Sequence, residues 1–326
     1  IEVGGRLSAE GQVVETLEQA DLDRVQSAVK RFQPDAVAIN LLFSFVDDSF
    51  ERQIEAAILD TSASVFVSRS SAVLPEYKEY ERGIATWLNA SLGPVVGSYL
   101  HRLEQQTLPS PLTVMQSSGE TVSAGSASRL AVNLLLSGPA GGLAALEHLG
   151  KQLGESRLLS FDMGGTSTDV ALLDGGLKIT NTGKVAGYPV AVPMVDMHTI
   201  GAGGGSVATM DVGGMLHVGP RSAGASPGPA CYGRGGTEPT VTDANVVIGR
   251  ISPESALAGS FKLRPDLAVD AVQQLARQAQ LSLREMAEGI VNVANEHMAN
   301  ALRVISVQRG YDPTPVSYTH LRAHET

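Results

Sequence analysis

The chain has little cysteine, few aromatic residues, a deficit of positive charge and no long hydrophobic run. Cys231 is the one cysteine in 326 residues, so no intrachain disulfide framework can form. A reducing, cytoplasmic compartment fits that usage. The net charge is −10, from 24 Lys and Arg against 34 Asp and Glu. With no basic cluster, this argues against nucleic acid and anionic membrane surfaces as partners. No apolar run reaches the roughly 18–20 residues of a membrane span. Paired-cysteine zinc spacing and a Ser–His–Asp elbow are also missing. The remaining composition, 43% hydrophobic and 18% charged, is that of a globular protein with enough chain for a sizeable core and two domains.

The densest chemical signal is Phe161-Asp162-Met163-Gly164-Gly165-Thr166-Ser167-Thr168-Asp169-Val170. Apolar runs precede and follow it, which predicts strand, tight loop, strand, with both glycines at the tip. Glycine lets backbone N–H groups approach an anion closely. Thr166, Ser167 and Thr168 carry hydroxyl donors. Asp162 and Asp169 would repel a bare phosphate and make sense with a cation such as Mg²⁺ between. A polar β-hairpin is the plainer alternative; the two acids bracketing Gly-Gly-Thr-Ser-Thr favour a nucleotide-phosphate loop.

Four further blocks accompany this loop: Leu136-Ser137-Gly138-Pro139-Ala140-Gly141-Gly142, the glycine run His198 to Ser206, Pro227-Gly228-Pro229-Ala230-Cys231-Tyr232-Gly233, and Pro239-Thr240-Val241-Thr242-Asp243. The loop resembles those of the actin, sugar-kinase and chaperone ATPases. The blocks in this order resemble the hydantoinase A/5-oxoprolinase family, from about Leu74 to Pro313 and more weakly back to Ile1. Where that family usually has Asp before Pro-Gly-Pro, this chain has Ser226.

The resemblance implies an α/β, actin-like (ribonuclease H-like) ATPase fold, incomplete here, with mixed sheets flanked by helices. It implies ATP and Mg²⁺ as cofactors and ATP-dependent opening of a cyclic amide of hydantoin or 5-oxoproline type. A small cyclic amide is then the substrate, a hydantoinase B-like subunit a partner, and an oligomer the expected assembly. The alternatives are the ATP-using subunit of a ketone carboxylase and a non-catalytic nucleotide-binding module; a sugar-kinase-like enzyme is weakened by the Gly-Pro-Ala-Cys-Tyr-Gly block. The implied roles are phosphate binding by Gly164, Gly165, Thr166, Ser167 and Thr168, and Mg²⁺ orientation by Asp162. Asp169 is a supporting or second acid. His198 and Gly203, Gly204 and Gly205 approach substrate or nucleotide.

Residues 1–70 read as an α/β layer closing an N-terminal domain, 71–313 as the hydantoinase A/oxoprolinase domain, and 314–326 as a non-native tail resembling a translated sequencing adaptor. An earlier Asp-x-Gly-Gly-Thr loop and a later Phe-Gly-Gly-Ala-Gly-Pro-like motif, both present in the family, do not occur here. The expectation is an internal fragment holding half a site, without turnover alone.

Periodicity predicts a helix over 21–32 capped by Asp21, a strand over 36–43 buried on both faces, a helix over 50–59 and a strand over 63–68. Residues 75–110 read as helical, with Pro94 opening the second stretch and Glu76, Lys78, Glu79, Glu81 and Arg82 as a solvated face. Strands follow at 112–116 and 133–136, and a glycine turn then opens a helix through 149. Hairpins are predicted at 174–176 and 213–214. The run 201–206 is not a dinucleotide fingerprint, because strand follows it; it packs on either a ligand or another strand. Residues 221–240 read as a long loop, and helices follow at 243–250, 266–278 and 282–308. Asp196 and His198 share a strand face. A metal site with Cys231 can be drawn there, but a hydrogen-bonded Asp–His pair is preferred.

Overall fold

In a computed structural model, residues 1–185, 187–252 and 262–313 are described, and 317–322 as backbone. In chain order the elements are β1 (Arg6–Leu7), β2 (Val13–Glu15), α1 (Gln19–Phe32), β3 (Ala36–Ile39), α2 (Ser49–Thr61), β4 (Phe66–Arg69), α3 (Ser70–Val73), α4 (Glu79–Thr107), β5 (Thr113–Met115), β6 (Thr121–Ser123), α5 (Ala124–Arg129) and α6 (Ser137–Leu153). There follow β7 (Arg157–Met163), β8 (Thr168–Asp174), β9 (Ile179–Thr180), β10 (Gly183–Val185), β11 (Tyr188–Val190), β12 (Met194–Val195), β13 (His198–Ile200), β14 (Ser206–Met210), β15 (Leu216–Ser222), α7 (Val241–Val247), α8 (Pro265–Ala279), α9 (Leu283–Ile305) and β16 (Ser317–Arg322). Among the described residues no helix is long and apolar enough to cross a membrane.

The chain forms two compact units, residues 1–144 with 178–195, and residues 145–177 with 196–326. In the first, Val25 and Val29 of α1, Ile54 and Ile58 of α2, Ile39 and Val65 bury one another around the parallel pair β3–β4. The helix starts earlier than expected. Glu18 is the cap and Asp21 closes the capping box from the third position. Phe32 is exposed, under the Arg31 guanidinium. Strand β3 stops at Ile39 because the chain turns at Phe43, whose φ is +58°.

Helix α4 packs on β3 and β4. Gly93 lies against the Phe66 ring, and Asn89 donates to Ser68 at 3.0 Å. Pro94, expected to open a helix, lies inside α4. The packing of Ala85, Ala90 and Gly93 outweighs the roughly 3 kcal/mol cost of an interior proline. Arg82 is not on a solvated face. It is fully buried and donates to Asn40, Ser70, and the Leu41 and Glu76 carbonyls. Glu51, equally buried, accepts from the Leu41 and Ser71 N–H groups and the Ser70 and Ser71 hydroxyls. The Ser70 hydroxyl joins the two charged groups. Residues Ala131–Leu134 form a 3₁₀ turn where a strand was expected.

The second unit is built on a mixed four-stranded sheet ordered β13-β8-β7-β16. Its neighbours β13, β8 and β7 are antiparallel. Leu159, Phe161, Val170 and Leu172 bury one face against Ala301 and Ile305 of α9. On the other face, Gly150 of α6 sits against Leu158 and Leu173. No hairpin forms at Gly175-Gly176: β9 pairs with β12 instead of β8. The Gly213-Gly214 hairpin joins β14 to β15. Nearer its N-terminus the same stripe of α9 packs Met286, Ile290 and Ala294 on α7 and α8. Residues 317–322, set aside on sequence grounds, run parallel to β7. An open strand edge accepts main-chain partners with little regard to sequence. Residues 314–316 and 323–326 of that segment lie outside the described residues.

Replacing Arg82 by Met removes four hydrogen bonds from a buried network and leaves the Glu76 carbonyl without its donor. Urea denaturation is expected to show a loss on the order of 3 kcal/mol. Replacing the exposed Arg284, paired with Glu288 along α9, by Ala should change stability by less than about 0.5 kcal/mol.

Candidate functional site

The β7–β8 hairpin carries the loop that the sequence singles out. Asp162 pairs directly with Asp169, and Met163 with Thr168. The Gly164 N–H donates to the Ser167 carbonyl at 2.9 Å and closes the turn. Thr166 is exposed at its tip.

Behind the turn lies the second glycine run. Gly204 N–H donates to the Gly164 carbonyl at 3.1 Å, and Gly205 N–H to the Gly165 carbonyl at 2.6 Å. A Cβ on Gly203 would meet the Gly165 carbonyl carbon at 2.6 Å and the Gly164 oxygen at 2.7 Å. The contact is backbone on backbone, and only glycine fits. In a trans peptide the N–H points opposite to the C=O. Drawing the Gly164 and Gly165 carbonyls inward therefore turns the Gly165 and Thr166 N–H groups outward. Among the described residues, the N–H groups of Gly165, Thr166 and Ser167 make no hydrogen bond. The tip is a small array of donors suited to an anion.

Three of the expected ligand contacts are thereby reassigned. The Gly203 N–H is taken by the Ser206 hydroxyl at 2.8 Å, and those of Gly204 and Gly205 by the loop carbonyls. These glycines support the loop from behind. Thr168, fully buried, donates its hydroxyl to the Ala202 carbonyl, so it ties the loop to the glycine run. A further layer holds the run: the Thr242 N–H and hydroxyl both donate to the Gly204 carbonyl, at 2.7 and 2.9 Å. Asp243, buried at the third position of α7, accepts from Thr240 and from the Ala230 and Cys231 N–H groups. It pins the Pro-Gly-Pro-Ala-Cys loop to the same scaffold. Ser226 is exposed at the edge of that loop.

The two acids share one face of the sheet, as directly opposed residues do. Thr199, opposite Asp169 on β13, donates its hydroxyl to that carboxylate at 2.5 Å. Burial pushes the Asp169 carboxyl above its usual range; the Thr199 hydrogen bond opposes this, and the Asp162 charge adds to the rise. His198 does not join them. It pairs with Val170, and successive residues of a strand face opposite sides. It therefore lies on the face that α9 covers. Asp196 pairs with Arg309. Cys231 is fully buried beside Leu263 and Val246. Burial first, then the Asp243 carboxylate, push its thiol well up. Among the described residues no cluster of three or more His, Cys, Asp or Glu could hold a metal. The Asp196–His198–Cys231 arrangement is not formed. Thr199 and Thr242 were missed in the sequence, because their roles depend on register and loop packing. Residues 137–142, expected as a glycine turn, are the first residues of α6 and lie in the other unit.

Residues 82–320 match the Hydantoinase/oxoprolinase family. The caprolactamase alpha subunit of Pseudomonas jessenii is 38% identical over 319 residues, which cover 95% of this chain and 46% of that one. The 5-oxoprolinase of Saccharomyces cerevisiae is 33% identical over 321 residues, covering 92% and 24%. A nucleotide-free acetone carboxylase structure, from work on ATP-dependent acetone carboxylation, superposes with a TM-score of 0.83 at 27% identity, covering 96% and 45%. The chain thus spans less than half the length of each of these proteins.

Two expected outcomes follow from the geometry. Gly203→Ala should cost about 1–3 kcal/mol through overpacking and shift the Gly164 and Gly165 amide resonances. Gly97→Ala in α4, which meets only the Ser128 Cβ at 3.8 Å, should be neutral or stabilising by up to about 1 kcal/mol. For Asp169, a raised folded pKa means its stabilising contribution is complete below the ordinary value of 3.8 and is lost as pH rises through the folded pKa. Asp169→Asn should therefore raise the melting temperature relative to wild type more at pH 7 than at pH 3.

Proposed function

The chain belongs to the hydantoinase/oxoprolinase family, and on that premise we propose that it supplies one phosphate-binding half of an ATP-dependent active site on an actin-like fold, acting on a cyclic amide. The observation that carries this is the N–H groups of Gly165, Thr166 and Ser167, which make no hydrogen bond and of which the first two turn outward, next to the opposed carboxylates of Asp162 and Asp169. The N–H groups, with the Thr166 and Ser167 hydroxyls, suit phosphate oxygens. Two hard carboxylate donors suit a Mg²⁺ ion that keeps several waters and phosphate ligands. Gly164 shapes the turn, and Thr168 and Gly203 to Gly205 keep it rigid.

An amide carbonyl is a poor electrophile. Bound Mg²⁺–ATP would supply the phosphoryl group that converts the amide oxygen into a leaving group, so that water can attack the carbon. The residues of this chain contribute positioning and charge neutralisation, which dominate phosphoryl transfer. Asp162 is the principal metal-orienting acid. Thr199 holds the Asp169 carboxylate in place. His198, on the covered face, has no part in the transfer.

A ketone-carboxylase subunit is the second reading, favoured by the likeness to acetone carboxylase. The same loop would then serve activation of the ketone or of bicarbonate. In either case we assign a second, hydantoinase B-like subunit as partner, in line with the subunit naming of the caprolactamase relative. A cytoplasmic setting fits ATP use and the single buried thiol.

The test uses the assembled enzyme containing this chain. Asp162→Asn is expected to lower coupled ATP hydrolysis and product formation together, by about 1,000-fold, as loss of several kcal/mol of metal-assisted stabilisation requires. Thr166→Ala should cost about 3–10-fold, the worth of one neutral hydrogen bond. A ring-opened amino acid as product supports the amidase; bicarbonate-dependent carboxylate formation supports the carboxylase. Near-normal coupled activity in Asp162→Asn would refute both.

A further inference from the structure

A peptide unit is planar, and its carbonyl and N–H point in opposite directions. Each outward N–H at the loop tip can therefore be traced back through the hydrogen bonds behind it. The Thr166 N–H shares a peptide with the Gly165 carbonyl, which accepts from the Gly205 N–H at 2.6 Å. The Gly205 N–H shares a peptide with the Gly204 carbonyl, which accepts the Thr242 N–H at 2.7 Å and the Thr242 hydroxyl at 2.9 Å. The Gly165 N–H traces elsewhere. Its chain runs through the Gly164 carbonyl to the Gly204 N–H at 3.1 Å, then through the Gly203 carbonyl to the Ser206 N–H at 3.1 Å. From there it passes through the Gly205 carbonyl to the Ala223 N–H at 2.8 Å. The two chains share no peptide unit. The second is main chain throughout; the first is headed by a side chain.

Thr242 does more than start its helix. It is the second residue of α7, and an N–H at that position needs an acceptor outside the helix. The Gly204 carbonyl supplies one. The hydroxyl is not required for that purpose. It is a second donor on the same carbonyl, it belongs to a buried residue, and a Cβ on Gly204 would meet its oxygen at 2.8 Å. Hydrogen bonds in a chain polarise one another, so each donor on a carbonyl strengthens the N–H of the same peptide. We propose that Thr242 is a positioning residue for the phosphate loop. Its paired donors set the orientation and the donor strength of the Thr166 N–H, two peptides away, toward a phosphate oxygen. This rests on the phosphate-binding reading of the loop. Thr242 acts on one of the two outward donors and leaves the other alone, which a general loss of packing would not do.

Amide spectra of the 326-residue chain, recorded without ligand and through a titration with Mg²⁺ and pyrophosphate, test the assignment. Thr242→Val removes the hydroxyl and keeps the shape. Thr242→Ala removes it without crowding the Gly204 carbonyl, and Thr242→Ser keeps it. Without ligand, the Val and Ala variants should shift the Gly205 and Thr166 amides and leave those of Gly204 and Gly165 in place. Both should bind pyrophosphate about 2–5-fold more weakly, the scale of lost cooperativity on a charge-assisted hydrogen bond. Thr242→Ser should match the wild type in shifts and affinity. Equal shifts at Gly165 and Thr166 overturn the proposal. So do a Thr166 amide or an affinity unchanged in both the Val and Ala variants, and a Ser variant as weak as they are. Wild-type loop amides that ignore pyrophosphate overturn the phosphate reading itself, and with it the role of Thr242. A wild-type response followed by the wrong pattern in the variants overturns that role alone.

Discussion

The site rests on one contact: two glycine backbones lying on each other with no side chain between. The carbonyls of Gly164 and Gly165 point back to Gly204 and Gly205, and peptide planarity sends the adjoining N–H groups the other way. The donor array at the loop tip is therefore a consequence of what lies behind it. Gly203 is the position where this requirement is most acute, since a methyl group there would overlap the Gly164–Gly165 peptide. Thr242 grips the Gly204 carbonyl, Thr168 grips Ala202, and Asp243 fastens the following loop. Blocks that lie far apart in sequence are thus successive layers behind a single turn.

Electrostatics work against stability at the same place. Two carboxylates face each other across β7 and β8, where opposite or neutral pairs would be favoured. Burial and this neighbour raise the Asp169 pKa, and only the Thr199 hydroxyl offsets them. A fold does not need such a pair, and the proposed cation would relieve it. The like charges sit in side chains at the mouth of the loop, while Thr168, Thr242 and Asp243 hydrogen-bond the layers behind. That division is what a rigid, charge-poised binding site requires.

Much of this was legible in the sequence. The flanking apolar runs placed the hairpin and its glycine tip, and helical periodicity located α1, α2, α8 and α9 to within a few residues. The errors have physical causes. Arg82 looked solvated because charge runs usually are, yet Ser70, Asn40 and two carbonyls satisfy it inside. Pro94 looked like a helix start because its cost is local, whereas the packing that outweighs it comes from β3 and β4. His198 was expected to approach substrate or nucleotide because of its place in the glycine-run block, and one step along a strand put it on the face away from Asp162 and Asp169. The glycine run left two readings open, ligand or strand, and the choice depended on a register that no local pattern encodes.

The central claim is that the Gly164–Gly165 turn presents outward donors while Gly203 to Gly205 support it from behind. Amide resonances recorded with a Mg²⁺-bound, non-hydrolysable ATP analogue test this directly. The Gly165, Thr166 and Ser167 amides should shift with nucleotide, and the Gly204 and Gly205 amides should keep their slow hydrogen exchange throughout. Nucleotide-dependent shifts centred on Gly203 to Gly205, with the loop tip unmoved, would contradict the account.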